Sequence, residues 1–378
     1  MIKKISLSIL AFVLLVVVVF TLGHRFIMPK LIPLSDLPEP LGSYSIGTQI
    51  FEWTDTTRDE WFTDEINDKR RIAVQIWYPS ESSNETPLPY LPYPDRWLPA
   101  LSDILELPQL LFNHLREIDT HSILNAKLNQ DIKQAPLVIF SHGIYGFRFQ
   151  NTAQFEALAS RGYIVVSADH AYDASLTFFE DGSIADFRSG YEGELTEEEF
   201  WALRNPQLST RVADIRFMLD TIEGKQDTGE AIWSAIDLER IGIFGHSYGG
   251  TTGIVAAGED KRIDAVVALD GWILPILPAV IDKGLQKPFF YIGRESWPDP
   301  LNYQKLNTLL DNSTLQTTLY LPGTMHFDFS DTPLFSPLMQ TVGVAGDIPA
   351  NELARLLENN IVAFFDTHLS HKSILYAP

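Results

Sequence analysis

One stretch limits what this chain can fold into more than any other: Arg240-Ile-Gly-Ile-Phe-Gly-His-Ser-Tyr-Gly-Gly-Thr251. Residues 241–244 are a short apolar run of β-formers, which predicts a buried strand. The run enters Gly245-His-Ser-Tyr-Gly249 and then small, helix-compatible residues up to Gly258. A G-x-S-x-G between a strand and a helix is the context of a nucleophile elbow, in which Ser247 stands on a sharp turn at the carboxyl end of a sheet. Gly245 and Gly249 let strand and helix approach closely around a strained serine.

The rest of the chain repeats strand, loop and helix. Residues 71–79 alternate well enough for a strand, and 136–140, 163–168, 263–269, 288–292 and 315–320 are further strand candidates. Helices are expected over 152–160, 210–222 and 351–369. Such alternation predicts an α/β architecture, a mostly parallel central sheet with helices on both faces. With the elbow, this is an α/β hydrolase fold. Residues 98–128 carry apolar positions at helical spacing, including Leu101, Ile104, Leu107, Leu111 and Leu115. They are expected to form a helical cover packed on the sheet, in preference to a lipid-binding lid. Residues 173–200 form a long acidic insertion that borders the site.

The amino terminus reads differently. Lys3 and Lys4 precede 18 uncharged residues, 5–22. That is longer than a usual signal core, and no small-x-small cleavage site follows it, so it suits an uncleaved signal anchor better than a cleaved signal peptide. We therefore divide the chain into an anchor or signal over 1–28, a proline-containing tether over 29–50, and one catalytic domain over 51–378. The catalytic domain would lie outside the cytoplasmic membrane, or be secreted if the segment is cleaved. A formal net charge of -21 excludes nucleic acid as an electrostatic partner. The absence of cysteine excludes disulfides, thiolate catalysis and cysteine zinc sites.

A serine hydroxyl needs a base, an acid to orient it, and donors for the oxyanion. In this fold the chain order is serine, acid, histidine, which leaves His326, His368 and His371. His326 follows a strand end in Gly323-Thr-Met-His-Phe-Asp328, where α/β sites form; the other two lie in or after the last helix. For the acid, Asp270 ends the strand over 263–269, while Glu295 and Asp299 lie one strand later; a carboxylate directly ending a buried strand favours Asp270. The oxyanion donors are expected to be the backbone N–H groups of Tyr248 and Ile144, the latter in the Ser-His-Gly-Ile-Tyr-Gly146 loop. His142 reads as a loop histidine bonded to backbone, and Asp169 and His170 as structural. Ser330 and Asp331 read as residues capping the next turn, with no catalytic role. His246 reads as the variable position of the motif, with no role.

These residues carry a resemblance to the plasma-type platelet-activating-factor acetylhydrolase family, over residues 71–369. Its specific parts are Pro136-Leu-Val-Ile-Phe-Ser-His-Gly143 with Phe147-Arg148, Gly245-His-Ser-Tyr-Gly-Gly250, Leu269-Asp-Gly-Trp272 and His326. The resemblance implies that the acid follows the strand after the elbow, strengthening Asp270 over Glu295 and Asp299, and it supports Ile144 and Tyr248 as donors. It implies a serine ester hydrolase with no metal or cofactor, acting on short or oxidised acyl groups of phospholipids. The alternatives are a broad carboxylesterase or polyester hydrolase, and a non-catalytic surface-binding protein. The implied partners are a small-molecule or lipid ester and, through the amino-terminal segment, a membrane. Residues 98–128 match the family only loosely.

Overall fold

The computed structural model describes residues 30, 33–106, 108–111, 113–191 and 193–370. Among them nine strands form one sheet, in the order β11-β10-β9-β8-β4-β5-β2-β1-β3. The strands are β1 (Ser45–Asp59), β2 (Lys69–Ser80), β3 (Ser122–Leu124), β4 (Ala135–Ser141), β5 (Ile164–Asp169), β8 (Ile236–His246), β9 (Ile263–Leu269), β10 (Pro288–Arg294) and β11 (Leu315–Leu321). A separate hairpin, β6 (Leu176–Phe178) with β7 (Ile184–Asp186), lies in the acidic insertion. Strands β5, β4, β8, β9, β10 and β11 are parallel, and β2 runs antiparallel to β5 and to β1.

Both faces of the parallel strands are covered, which is why they read as continuous apolar runs. Leu137, Ile139, Ile241 and Ile243 point to one side, against Val212, Ile215, Leu219 and Ile254. Val138, Phe140, Phe244 and Val267 point to the other, against Phe155, Leu158, Leu357, Ile361 and Phe365. The helices supplying these side chains are α2 (Thr152–Ala159), α3 (Glu197–Lys225), α4 (Tyr248–Glu259) and α7 (Ala350–His368). Further helices are α1 (Pro94–Leu105), α5 (Pro278–Lys283) and α6 (Pro300–Asp311). Each fully buried large aliphatic side chain contributes roughly 1.5–3 kcal/mol of transfer free energy, so these two layers dominate what holds the domain together.

Three expectations need correction. Residues 98–128 are not one helical cover: α1 ends at Leu105, short 3-10 turns follow at Gln109–Leu111 and Asn113–Glu117, and β3 then pairs with β1. Pro108 is the local reason, since it has no N–H to continue the helix. The helix expected over 210–222 begins much earlier, at Glu197, and carries Pro206 inside it; Thr196 and Glu199 close its first turn as a capping box. The segment expected as a tether up to residue 50 packs on the domain instead. Leu37 is buried, Ser35 N–H donates to Phe335 O, and β1 starts at Ser45.

Among the described residues no helix is long and apolar enough to cross a membrane. The apolar stretch 5–22 expected as an anchor or signal, like His371, lies outside the described residues.

Candidate active site

Strand β8 ends at His246 and α4 begins at Tyr248, so Ser247 occupies a one-residue turn. Its φ of 56° and ψ of -119° are values that a side chain rarely adopts. The neighbouring glycines make the turn possible: a Cβ on Gly245 would meet the Gly249 backbone, and one on Gly249 would meet the Ser141 carbonyl. Ser247 N–H donates to Leu269 O (2.9 Å), and Trp272 N–H donates to Ser247 O (3.1 Å), tying the elbow to the loop that carries Asp270.

Asp270 follows β9, as its sequence position suggested, and also has positive φ (43°). His326 opens the 3-10 turn His326–Phe329, which follows β11. The three side chains form one chain of hydrogen bonds: His326 Nε2 lies 2.9 Å from Ser247 Oγ, and His326 Nδ1 lies 2.6 Å from Asp270 Oδ2. Asp270 is wholly buried, while His326 remains partly open to solvent. The second oxygen of Asp270 accepts the backbone N–H of Arg294 (3.3 Å) and Trp297 Nε1–H (3.2 Å), and the Arg294 guanidinium pairs with the carboxylate at 3.1 Å. The carboxylate is therefore compensated on every side, as a buried charge must be.

The other acid candidates lie elsewhere. Asp299 caps α6 through Leu301 N–H (2.9 Å), and Glu295 is exposed. The loop after β4 turns back over Ser247, because a Cβ on Gly143 would sit 3.3 Å from Ser247 Cβ. Among the described residues, no hydrogen bond takes the N–H of Ile144 or of Tyr248. Tyr248 N–H belongs to the first turn of α4, whose aligned peptide dipoles favour negative charge there.

The remaining candidates have structural contacts. His142 Nε2 accepts His170 N–H (3.0 Å) and its Nδ1–H donates to Gly143 O (2.6 Å). Asp169 pairs with Arg148 (2.5 Å) rather than with its neighbour His170. Asp331 accepts the N–H of Ala153 (3.3 Å) at the start of α2, and burial pushes its carboxyl well above the ordinary range. His368 lies at the end of α7.

Sequence reasoning did not anticipate Arg294, Trp297, Asp328, Gln150 or the part played by His246. Arg294 had one readable signal: it ends β10, the parallel neighbour of β9, where Leu269 is in register with Ile292. Asp328 Oδ2 accepts Met325 N–H (2.7 Å) and Gly346 N–H (2.9 Å), which pins the His326 turn. His246 is buried among these groups. Burial, and then the adjacent His326, hold its pKa well below the usual histidine value, so it is neutral.

A cleft of about 1030 Å³ lies beside the elbow. Its walls include Trp272, Trp201 and, from the acidic insertion, Tyr191 and Phe200. That insertion also meets the loop after β4, where Tyr145 N–H donates to Asp173 O (3.1 Å) and Tyr145 packs on Phe187. Trp272 packs on Tyr248, with ring centroids 5.3 Å apart. Among the described residues no group of three or more His, Asp or Glu side chains is placed to hold a metal ion.

Residues 32–374 match the family described as "Platelet-activating factor acetylhydrolase, isoform II". This chain belongs to that family. Among its relatives, the platelet-activating factor acetylhydrolase of Canis lupus familiaris is 27% identical over 89% of this chain and 78% of its own. A protein of Arthroderma benhamiae named as a probable 1-alkyl-2-acetylglycerophosphocholine esterase is 25% identical over 89% of each chain. Among solved structures, a ferulic acid esterase from Streptomyces cinnamoneus superimposes with a TM-score of 0.73 at 27% identity, covering 91% of this chain and 96% of its own.

Proposed function

We propose that Ser247, His326 and Asp270 are the catalytic triad of a carboxylic ester hydrolase that removes short or oxidised acyl groups from phospholipids. Membership of the platelet-activating factor acetylhydrolase family makes the chain a carboxylic ester hydrolase. The observation that carries the site assignment is the Ser247–His326–Asp270 hydrogen-bond chain, beside two backbone amides that no hydrogen bond takes among the described residues.

Ser247 Oγ attacks the ester carbonyl carbon as its proton passes to His326 Nε2. Asp270 holds the imidazole through Nδ1–H and stabilises the cation that forms. The amides of Ile144 and Tyr248 receive the oxyanion, each lowering the barrier by roughly 3–4 kcal/mol. His326 then protonates the departing alcohol oxygen, leaving the acyl group on Ser247. A water loses its proton to the same imidazole and attacks the acyl-enzyme, releasing the carboxylic acid and restoring Ser247.

A second reading has an observation of its own. The aromatic cleft beside Trp272 and the likeness to a ferulic acid esterase favour a broader carboxylesterase that takes aromatic or simple esters. Hydrolysis of an sn-2-acetyl phosphocholine, a series of p-nitrophenyl esters of rising chain length, and a methyl ferulate separates the two. Cleavage of the phospholipid with a steep preference for short chains supports the first; ferulate and simple esters cleaved with the phospholipid untouched support the second. We further propose that residues 5–22 anchor the chain, with the hydrolase body outside the cytoplasmic membrane. Detergent-dependent release of the full chain, compared with a chain starting at Leu34, tests this.

A further inference from the structure

We infer that His246 and Gln150 form a strut that holds the oxyanion loop and the catalytic histidine in one register, making His246 a positioning residue for the reaction proposed above. The inference rests on that reading of the site. Gln150 Oε1 accepts Gly143 N–H (3.2 Å), one residue before Ile144. Gln150 Nε2 donates to His246 Nδ1 (3.1 Å), and His246 Nε2 reaches His326 O (2.9 Å). The second N–H of Gln150 goes to Asn151 Oδ1 (3.0 Å), and Asn151 Nδ2 donates to Phe329 O (2.9 Å).

The direction of every proton in this strut is determined. A carbonyl oxygen only accepts, so His246 Nε2 carries the hydrogen; an amide nitrogen only donates, so Nδ1 is the free acceptor. The two ends of the turn His326–Phe329 are thereby held through their carbonyls to one glutamine, which also fixes the loop bearing Ile144. All three members are buried, where a satisfied polar network specifies one arrangement. Apolar packing anchors only the far end of the turn, where Phe329 is wholly buried; at the His326 end Met325 is 40% and Phe327 51% exposed, so that end depends on the hydrogen bond from His246.

The test uses two substitutions with opposite losses. His246→Phe keeps the ring and its packing on His326 (centroids 4.6 Å apart) but removes the donor. His246→Gln gives up the ring and retains an N–H near the Nε2 position. With p-nitrophenyl butyrate, His246→Phe is expected to lower kcat about 10- to 100-fold with KM within about twofold, as for a catalytic group displaced by a fraction of its working geometry. His246→Gln is expected to stay within about threefold of wild type. Thermal unfolding is followed in parallel; if His246→Phe does not fold, Gln150→Met, which breaks the strut from its other end by losing the links to Gly143 and to His246, carries the test. A His246→Phe enzyme at wild-type kcat, or one more active than His246→Gln, overturns the strut and leaves the triad standing. Turnover retained in Ser247→Ala overturns the site reading, and the strut with it.

Discussion

His170 Nε2 lies 2.9 Å from Ser141 Oγ, and its Nδ1 lies 2.9 Å from Asp214 Oδ2, so a second serine–histidine–aspartate chain is buried one strand away from Ser247. What separates the two is access and charge pairing. Ser141, His170 and Asp214 are fully buried, and Asp214 also carries Arg70 (2.6 Å) and Arg58 (2.9 Å). No ester can reach Ser141. Ser141→Ala is therefore expected to keep esterase turnover near wild type and to lose about 1 kcal/mol of stability, the net worth of a buried hydrogen bond. Steady-state kinetics and chemical denaturation check both halves.

The same histidine sets a pH dependence of stability. Burial first, and then the Arg211 guanidinium, push the His170 pKa down to about 4. The unfolded chain, with a histidine value of about 6.5, takes up the proton first on acidification. This contribution to stability is complete above the unfolded pKa and is lost as pH falls through the window down to the folded one. In thermal melts across that window, the fall in Tm with acidity should be shallower for His170→Gln than for wild type. Parallel slopes would count against it.

Asp270 and Asp299 offer a direct comparison of acids. Asp270→Asn removes the acceptor that orients His326 and is expected to cost about 10⁴ in kcat. Asp299→Asn alters only a helix cap, with turnover unchanged and stability within about 1 kcal/mol. A dead Asp299→Asn beside an active Asp270→Asn reverses the assignment.

Gly249→Ala places a methyl group into the Ser141 carbonyl. The backbone has to move to admit it, so we expect a loss of about 3 kcal/mol or more in stability, together with loss of labelling by a fluorophosphonate probe. A stable, fully labelled Gly249→Ala protein would show that the elbow can relax without harm.

The parallel strands were legible because both of their faces are buried. Continuous apolar runs at 136–140, 263–269 and 288–292 matched β4, β9 and β10 within two residues at either end. Strand β1 was not legible: its second half alternates with Thr and Asp and reads as polar linker, and Trp53 is buried against Trp233, far along the chain. The first half of α3 was hidden by Pro206 and by Arg204 and Gln207, which face inward and break the apolar period. At the site, Ser247, Asp270 and His326 were legible because each ends a strand or follows one in the order the fold demands. His246 and Gln150 were not, since their bonds join residues 80 and 96 positions apart and neither leaves a local pattern.

Ser247 holds a φ of 56° without being a glycine, at a cost of order 1–3 kcal/mol. Glycine at the same position would relieve that cost and, on the proposed mechanism, abolish the nucleophile. Directed evolution of this chain for heat resistance alone would thus drift toward an inert protein at residue 247, so any screen for hardier variants has to score turnover in the same round.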